Sequence, residues 1–228
     1  MTKKYELVLD DTISFWGWKL FRIRALISFG SVEVGDLGGY IEKEENLSHD
    51  GNAWVYGNAK VWGDAKVSGD AKVYGNAEVW GDAKVSGDAK VYGNAEVWGD
   101  AEVSGNAEVW GDAKVSGDAK VYGNAEVWGD AEVSGNAEVS GDAKVWGNAK
   151  VWGNAEVSEL GDIIVFKNHW SSGRHFTYTK SNKMWKVGCF YGTGQELIEK
   201  AYRDSEKSGN YYKAYVDFVA TLERLSEE

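Results

Sequence analysis

A mainly β chain organised around a parallel β-solenoid is what this sequence predicts, on three observations. From Gly51 to Ser158 it repeats G-[DN]-A-x-V-x without insertion or deletion, eighteen hexads in 108 of 228 residues. Within each hexad Ala and Val lie two apart, so both point to one side of an extended segment. Wound at eighteen residues per turn, the repeat places aromatic residues over aromatic residues and serines over serines.

Residues 1–50 are expected to form an N-terminal β-rich cap. Tyr5–Leu9 (YELVL) and Lys19–Leu26 (KLFRIRAL) have strand composition, and Gly35 and Gly38–Gly39 suggest breaks. A solenoid end exposes unpaired strand edges and needs such a cover.

Residues 51–158 are the solenoid itself. Gly with Asp or Asn supplies the bend, because these residues tolerate left-handed backbone angles. Three hexads per coil make a triangular prism of six coils with Ala and Val inside. The last hexad position then forms three outward columns. One holds Tyr56, Tyr74, Tyr92, Trp110, Trp128 and Trp146. The second holds Trp62, Trp80, Trp98, Ser116, Ser134 and Trp152. The third is mostly serine: Ser68, Ser86, Ser104, Tyr122, Ser140 and Ser158. Stacked corner Asn side chains can bond one another, whereas stacked Asp would repel.

Residues 159–228 read as a C-terminal α+β module. Three strands are expected at Asp162–Lys167, His175–Lys180 and Met184–Phe190. A helix then starts at the capping box of Thr193 and Glu196, breaks at residues 208–210, and is followed by a second helix over Tyr211–Leu225.

At this point the repeat resembles the bacterial hexapeptide-repeat left-handed β-helix family, the fold of many acyltransferases. The likeness rests on the aliphatic Val and the small Ala two before it. The residue after the aliphatic one departs from that family: it is often Trp or Tyr here, in place of a small or acidic residue. The resemblance implies left-handed coiling. It also implies, as an alternative function, acyl transfer with a solenoid His as general base and CoA lying between neighbouring prisms. The repeat contains no His and no inserted loop; the only His residues are His49, His169 and His175. The segment from Leu20 to Ser48 resembles the leader that precedes such repeats in uncharacterised bacterial and bacteriophage proteins.

Charge and composition narrow the function classes. The chain carries a formal −11, divided as −3 over 1–50, −8 over the repeat and 0 over 159–228. An acidic solenoid argues against an electrostatic grip on nucleic acid. One cysteine, Cys189, excludes an intrachain disulfide and a Cys-based zinc site, and its aromatic neighbours suggest a core position. The period of six with one Gly does not match the GGxGxD nonapeptide of calcium β-rolls. None of the six Thr lies in the repeat, which argues against an ice-binding face. No signal peptide or membrane span is evident, so a cytoplasmic location, bacterial or in an infected host, is expected.

The expectation is therefore a non-catalytic binding or scaffold protein without metal or cofactor. Its concrete version is a phage or prophage accessory protein that binds and inhibits a bacterial host defence protein. Self-assembly into a homo-oligomer is the structural alternative. The ten aromatic residues of the first two columns are the interface candidates. In the tail, Arg174, Lys180, Lys183 and Trp185 mix basic and aromatic character and are the second set of binding candidates.

Overall fold

A computed structural model describes residues 3–226. Each hexad contributes one short strand centred on its Val, and the eighteen strands form three parallel faces. Register is eighteen residues throughout: Val55 pairs with Val73, Val61 with Val79 and Val67 with Val85. We call these the first, second and third face. All eighteen Ala and all eighteen Val of the repeat are buried in one continuous core.

The corners close as the composition demands. Every repeat glycine sits at positive φ, between +59° and +75°. Asn side chains ladder along the corners: Asn76 Nδ2 donates to Asn94 Oδ1 (3.1 Å), and Asn94 Nδ2 to Asp112 Oδ1 (3.0 Å). Asn106 donates to Asn124, and Asn124 to Asp142, in the same way.

The stack extends one irregular coil beyond the repeat. β1 (Tyr5–Phe15), β2 (Trp18–Ala25) and β3 (Leu37–Ile41) continue the second face, with β3 parallel to the first strand of that face. Ile41 and Leu47 take the place of Val, with Ile41 over Val61 and Leu47 over Val67. Gly38 and Gly39 are therefore inside a strand and not at a break. A Cβ on Gly38 would lie 2.5 Å from Ile23 Cγ1, and one on Gly39 would lie 2.6 Å from the Ala59 carbonyl. Close backbone approach, which composition does not reveal, requires these glycines.

The two ends have opposite hydrogen-bonding character. Along the stack, N–H groups at hexad positions two, four and six donate to carbonyls of the next coil, for example Lys90 N–H to Ala107 O at 2.9 Å. The N-terminal end thus shows mainly carbonyls and the C-terminal end mainly N–H groups. The N-terminal cap supplies donors. The buried Lys4 ammonium donates to Ala53 O (2.9 Å) and Gly51 O (3.3 Å), and Asn46 Nδ2 to Gly63 O and Ala65 O. The C-terminal cap supplies acceptors. Thr177 Oγ1 receives Lys150 N–H, Ser181 Oγ receives Glu156 N–H, and the Asp162 carboxylate receives Ser158 N–H.

The C-terminal module has four antiparallel strands and two helices. These are β4 (Ile163–Lys167), β5 (His175–Thr179), β6 (Met184–Val187), β7 (Phe190–Thr193), α1 (Gly194–Asp204) and α2 (Glu206–Leu225). Here β1–β7 denote the strands outside the repeat. The expected third strand is in fact a hairpin, turned at Gly188 (φ +56°), which leaves Cys189 exposed in place of the expected core position. Thr193 and Glu196 form the expected capping box. The expected break at residues 208–210 is absent. Ser205 caps α2 by accepting Ser208 N–H at 3.1 Å, and Gly209 is buried in the helix because a Cβ there would lie 2.2 Å from Tyr202 Cδ1. The sheet puts Phe176, Tyr178 and Trp185 against the helices and Thr177 against the solenoid.

Candidate functional site

Position six of each hexad points outward, and a coil spacing of ~4.8 Å suits stacked rings. On the first face Tyr74, Tyr92, Trp110, Trp128 and Trp146 form one ladder. Successive centroids are 4.6, 5.6, 4.9 and 5.5 Å apart, with planes within 15° of parallel. Tyr56 does not join it; its phenol lies 3.3 Å from Ser31 Oγ. Offset-stacked pairs contribute ~0.5–1.5 kcal/mol each beyond area burial.

The second-face column is shorter and partly covered. Trp62, Trp80 and Trp98 stack at 5.0 Å. Phe15 of the β1–β2 hairpin meets Trp62 edge-on at 5.3 Å, and Trp62 is buried with Leu20 and Tyr40. Ser116 and Ser134 interrupt the column. Trp152 stands apart from the stack, with the buried Lys186 ammonium 3.5 Å from its ring centroid. The column therefore does not offer its full length to a partner: the cap takes one end and the C-terminal module the other.

Charged pairs flank the open ladder. Lys90 binds Glu108 at 2.6 Å and Lys144 binds Glu126 at 3.2 Å. Half-exposed pairs of this kind add little stability individually, but they hold the rim in place. Tyr92 Oη donates to Glu108 Oε2 at 3.1 Å. Burial, then this bond to a carboxylate, holds the Tyr92 phenol above the usual tyrosine range.

Geometry restricts what the ladder can bind. Within it each ring face is covered by the next ring, so edges face outward. A sugar face finds a ring face without a stacked neighbour at the two ends of the ladder, at Tyr74 and at Trp146, which is 45% exposed. The ladder offers a ribbon of stacked rings roughly 20 Å long with a charged border.

The tail candidates do not converge. Trp185 is buried in the module core, a correction to its expected surface role: its ring packs against Phe176 and Tyr178. Arg174 and Lys180 flank opposite ends of β5, roughly 20 Å apart at ~3.3 Å per residue, and Lys183 lies in the next turn at φ +54°. All three are exposed.

His49 has a structural place. Its ring stacks on Tyr5 at 4.4 Å, and its Nδ1 accepts Lys4 N–H at 3.2 Å. His169 packs edge-on against Trp170 and Tyr211. Among the described residues no group of three or more His, Cys, Asp or Glu is placed to hold a metal ion. Among the described residues no helix is long and apolar enough to cross a membrane. One surface that composition did not signal is a groove of about 430 Å3 beside Trp146, Leu160 and Val165.

A scan against protein-family models finds no match to this chain, and neither does a search of curated proteins.

Proposed function

We propose that this protein is a non-catalytic binding scaffold whose first-face aromatic ladder docks a protein partner, and that it serves a phage or prophage by blocking a bacterial host protein, a defence component. The ladder itself carries this reading: five parallel rings, edge-out, held on a rigid β-stack and bordered by ion pairs. Aromatic surface rimmed by charge is the composition of protein interfaces. Because the rings are already immobilised by one another, docking orders few side chains and loses little entropy. Covered ring faces favour a protein over a glycan.

The test is affinity capture from bacterial lysate with the full chain as bait, read by mass spectrometry. The control is Trp110→Ser with Trp128→Ser. Serine fills the equivalent position of the third column, so the fold tolerates it. Trp146 is kept because it also lines the groove. A bacterial protein enriched on the native chain and lost on the control supports the reading. Enrichment that survives the control removes the ladder from it. Native chain that self-associates while the control stays monomeric places a second copy on the ladder and refutes the host-partner reading.

A further inference from the structure

The groove between the last coil and the C-terminal sheet is lined chiefly by Trp146, Asn148, Leu160, Ile163, Val165 and His175. Its wall is a free strand edge. β4 ends the four-stranded sheet and, among the described residues, pairs only with β5. Lys180 N–H bonds to Asp162 O, and Asn168 N–H to Arg174 O. Antiparallel alternation then turns the backbone groups of Ile164 and Phe166 toward β5 and those of Ile163, Val165 and Lys167 away from it.

The floor is also open. The second and third faces of the last coil are capped through Lys150, Glu156 and Ser158. On the first face the N–H groups of Lys144 and Trp146 point where a further coil would lie, and they have no acceptor among the described residues. The lining is apolar and accessible: Leu160 is 59% and Val165 39% exposed. At one end, next to His175, Lys167 and Arg174 are exposed. Neither forms an ion pair among the described residues.

We propose that this groove is a docking site for an extended, acidic and aliphatic segment of a partner polypeptide, which adds a fifth strand to the sheet along β4. Each part of the description answers a feature of the groove. Unpaired N–H and C=O groups in strand alternation call for a peptide backbone. The apolar floor takes every second side chain, which sets the aliphatic alternation. Lys167 and Arg174 take carboxylates. A second copy of this chain fits less well: pairing β4 with β4 brings the same two cations to the groove and leaves the floor unfilled. The inference concerns a different surface from the ladder and stands whether or not the ladder binds.

The probe is a library of random dodecapeptides displayed on yeast, selected on the full chain. The most enriched sequence is then made as a fluorescein-labelled peptide and titrated by anisotropy. Enriched sequences should alternate aliphatic residues with Glu or Asp. Val165→Pro removes an N–H that points away from β5, at a position where an edge strand accepts proline, and exchanges one apolar lining side chain for another. It should weaken binding about tenfold, the upper end of what one backbone hydrogen bond contributes. Leu160→Glu, which leaves the edge intact, should weaken it comparably, and Lys167→Glu should shift selection away from acidic residues. Trp110→Ser with Trp128→Ser should bind as the native chain does. Unchanged far-ultraviolet circular dichroism of Val165→Pro guards against misfolding, and Leu160→Glu reports independently of it. The proposal is overturned by sequences without alternation, by no enrichment over a Val165→Pro bait, or by equal affinity for native chain and both groove variants. A native dimer that Val165→Pro converts to monomer also overturns it, by placing a second copy on the edge.

Discussion

Gly93 and Gly147 belong to the same corner column, and alanine at each separates backbone strain from coil-to-coil contact. Both have left-handed backbone, with φ of +74° and +62°. Alanine therefore incurs a shared cost of roughly 1–2 kcal/mol at either position. Their surroundings differ. A Cβ on Gly93 would lie 2.9 Å from Gly111 N and 3.1 Å from Gly111 O, both backbone atoms of the next coil. On Gly147, in the last coil, the same Cβ meets nothing within 4 Å. Relief at Gly93 requires two coils to part at the corner. That stretches the Tyr92 N–H to Val109 O bond (2.9 Å) and the Asn94 N–H to Gly111 O bond (2.8 Å). Overpacking adds ~1–3 kcal/mol, and weakening two bonds adds about 1 kcal/mol more. The difference between the variants is then roughly 2–4 kcal/mol. At ~2–4 °C per kcal/mol for a chain of this size, Gly93→Ala should melt about 5–15 °C below Gly147→Ala. Thermal unfolding followed by far-ultraviolet circular dichroism measures this directly. Equal melting temperatures, or a lower one for Gly147→Ala, would refute the argument that coil contact, and not φ alone, fixes glycine at this corner.

Three further outcomes follow from the caps and the ladder. Burial lowers the Lys4 pKa to about 8, against the opposing attraction of Asp50 and Asp70. Between pH 8 and about 10 the unfolded chain holds the extra proton, so stability should rise with pH there. Above about 10 the trend should reverse, because the phenols of Tyr5, Tyr92 and Tyr178 are held above their usual range and keep protons the unfolded chain loses. Lys4→Met should abolish the rise in urea titrations at stepped pH; a native-like slope in that variant would refute the assignment. Trp128→Ser removes two ring stacks and should cost about 1–3 kcal/mol, whereas Ser134→Ala, which removes a buried hydroxyl without a partner among the described residues, should leave stability unchanged or raise it. Gly153→Ala aims a Cβ at Tyr191 Oη, 2.0 Å away, where Tyr191 anchors the module by donating to Trp152 O at 3.1 Å. Limited proteolysis should then release the module after residue 158 faster than from the native chain, while the solenoid band persists.

Much of the fold was legible because the repeat is its own contact map. A period of six with Gly, Ala and Val in fixed places specifies strand, corner and interior. The period of eighteen in the outward residues specifies which side chain lies over which. The ladder from Tyr74 to Trp146 and the corner Asn bonds follow from that periodicity alone. The Thr193 and Glu196 capping box was legible for a different reason: it is local, three residues apart.

Beyond the period, residue type located β1, β2, β4 and β5 but not the burial of single residues. Gly38 and Gly39 look like a break and are strand, because Ile23, Val55 and the Ala59 carbonyl press on them from distant parts of the chain. Trp185 looks like a surface aromatic and is core, while Cys189 looks like core and is exposed on a hairpin turn. Whether Trp62 and Trp152 are free depended on where the hairpin at Phe15 and the strand at Lys186 came to rest. Sequence determined the solenoid because its contacts recur at a fixed separation and every coil repeats the same choice. Tertiary structure decided the caps, the burial of individual aromatic residues and the open edge of β4, because each depends on one unrepeated contact between segments far apart in the chain.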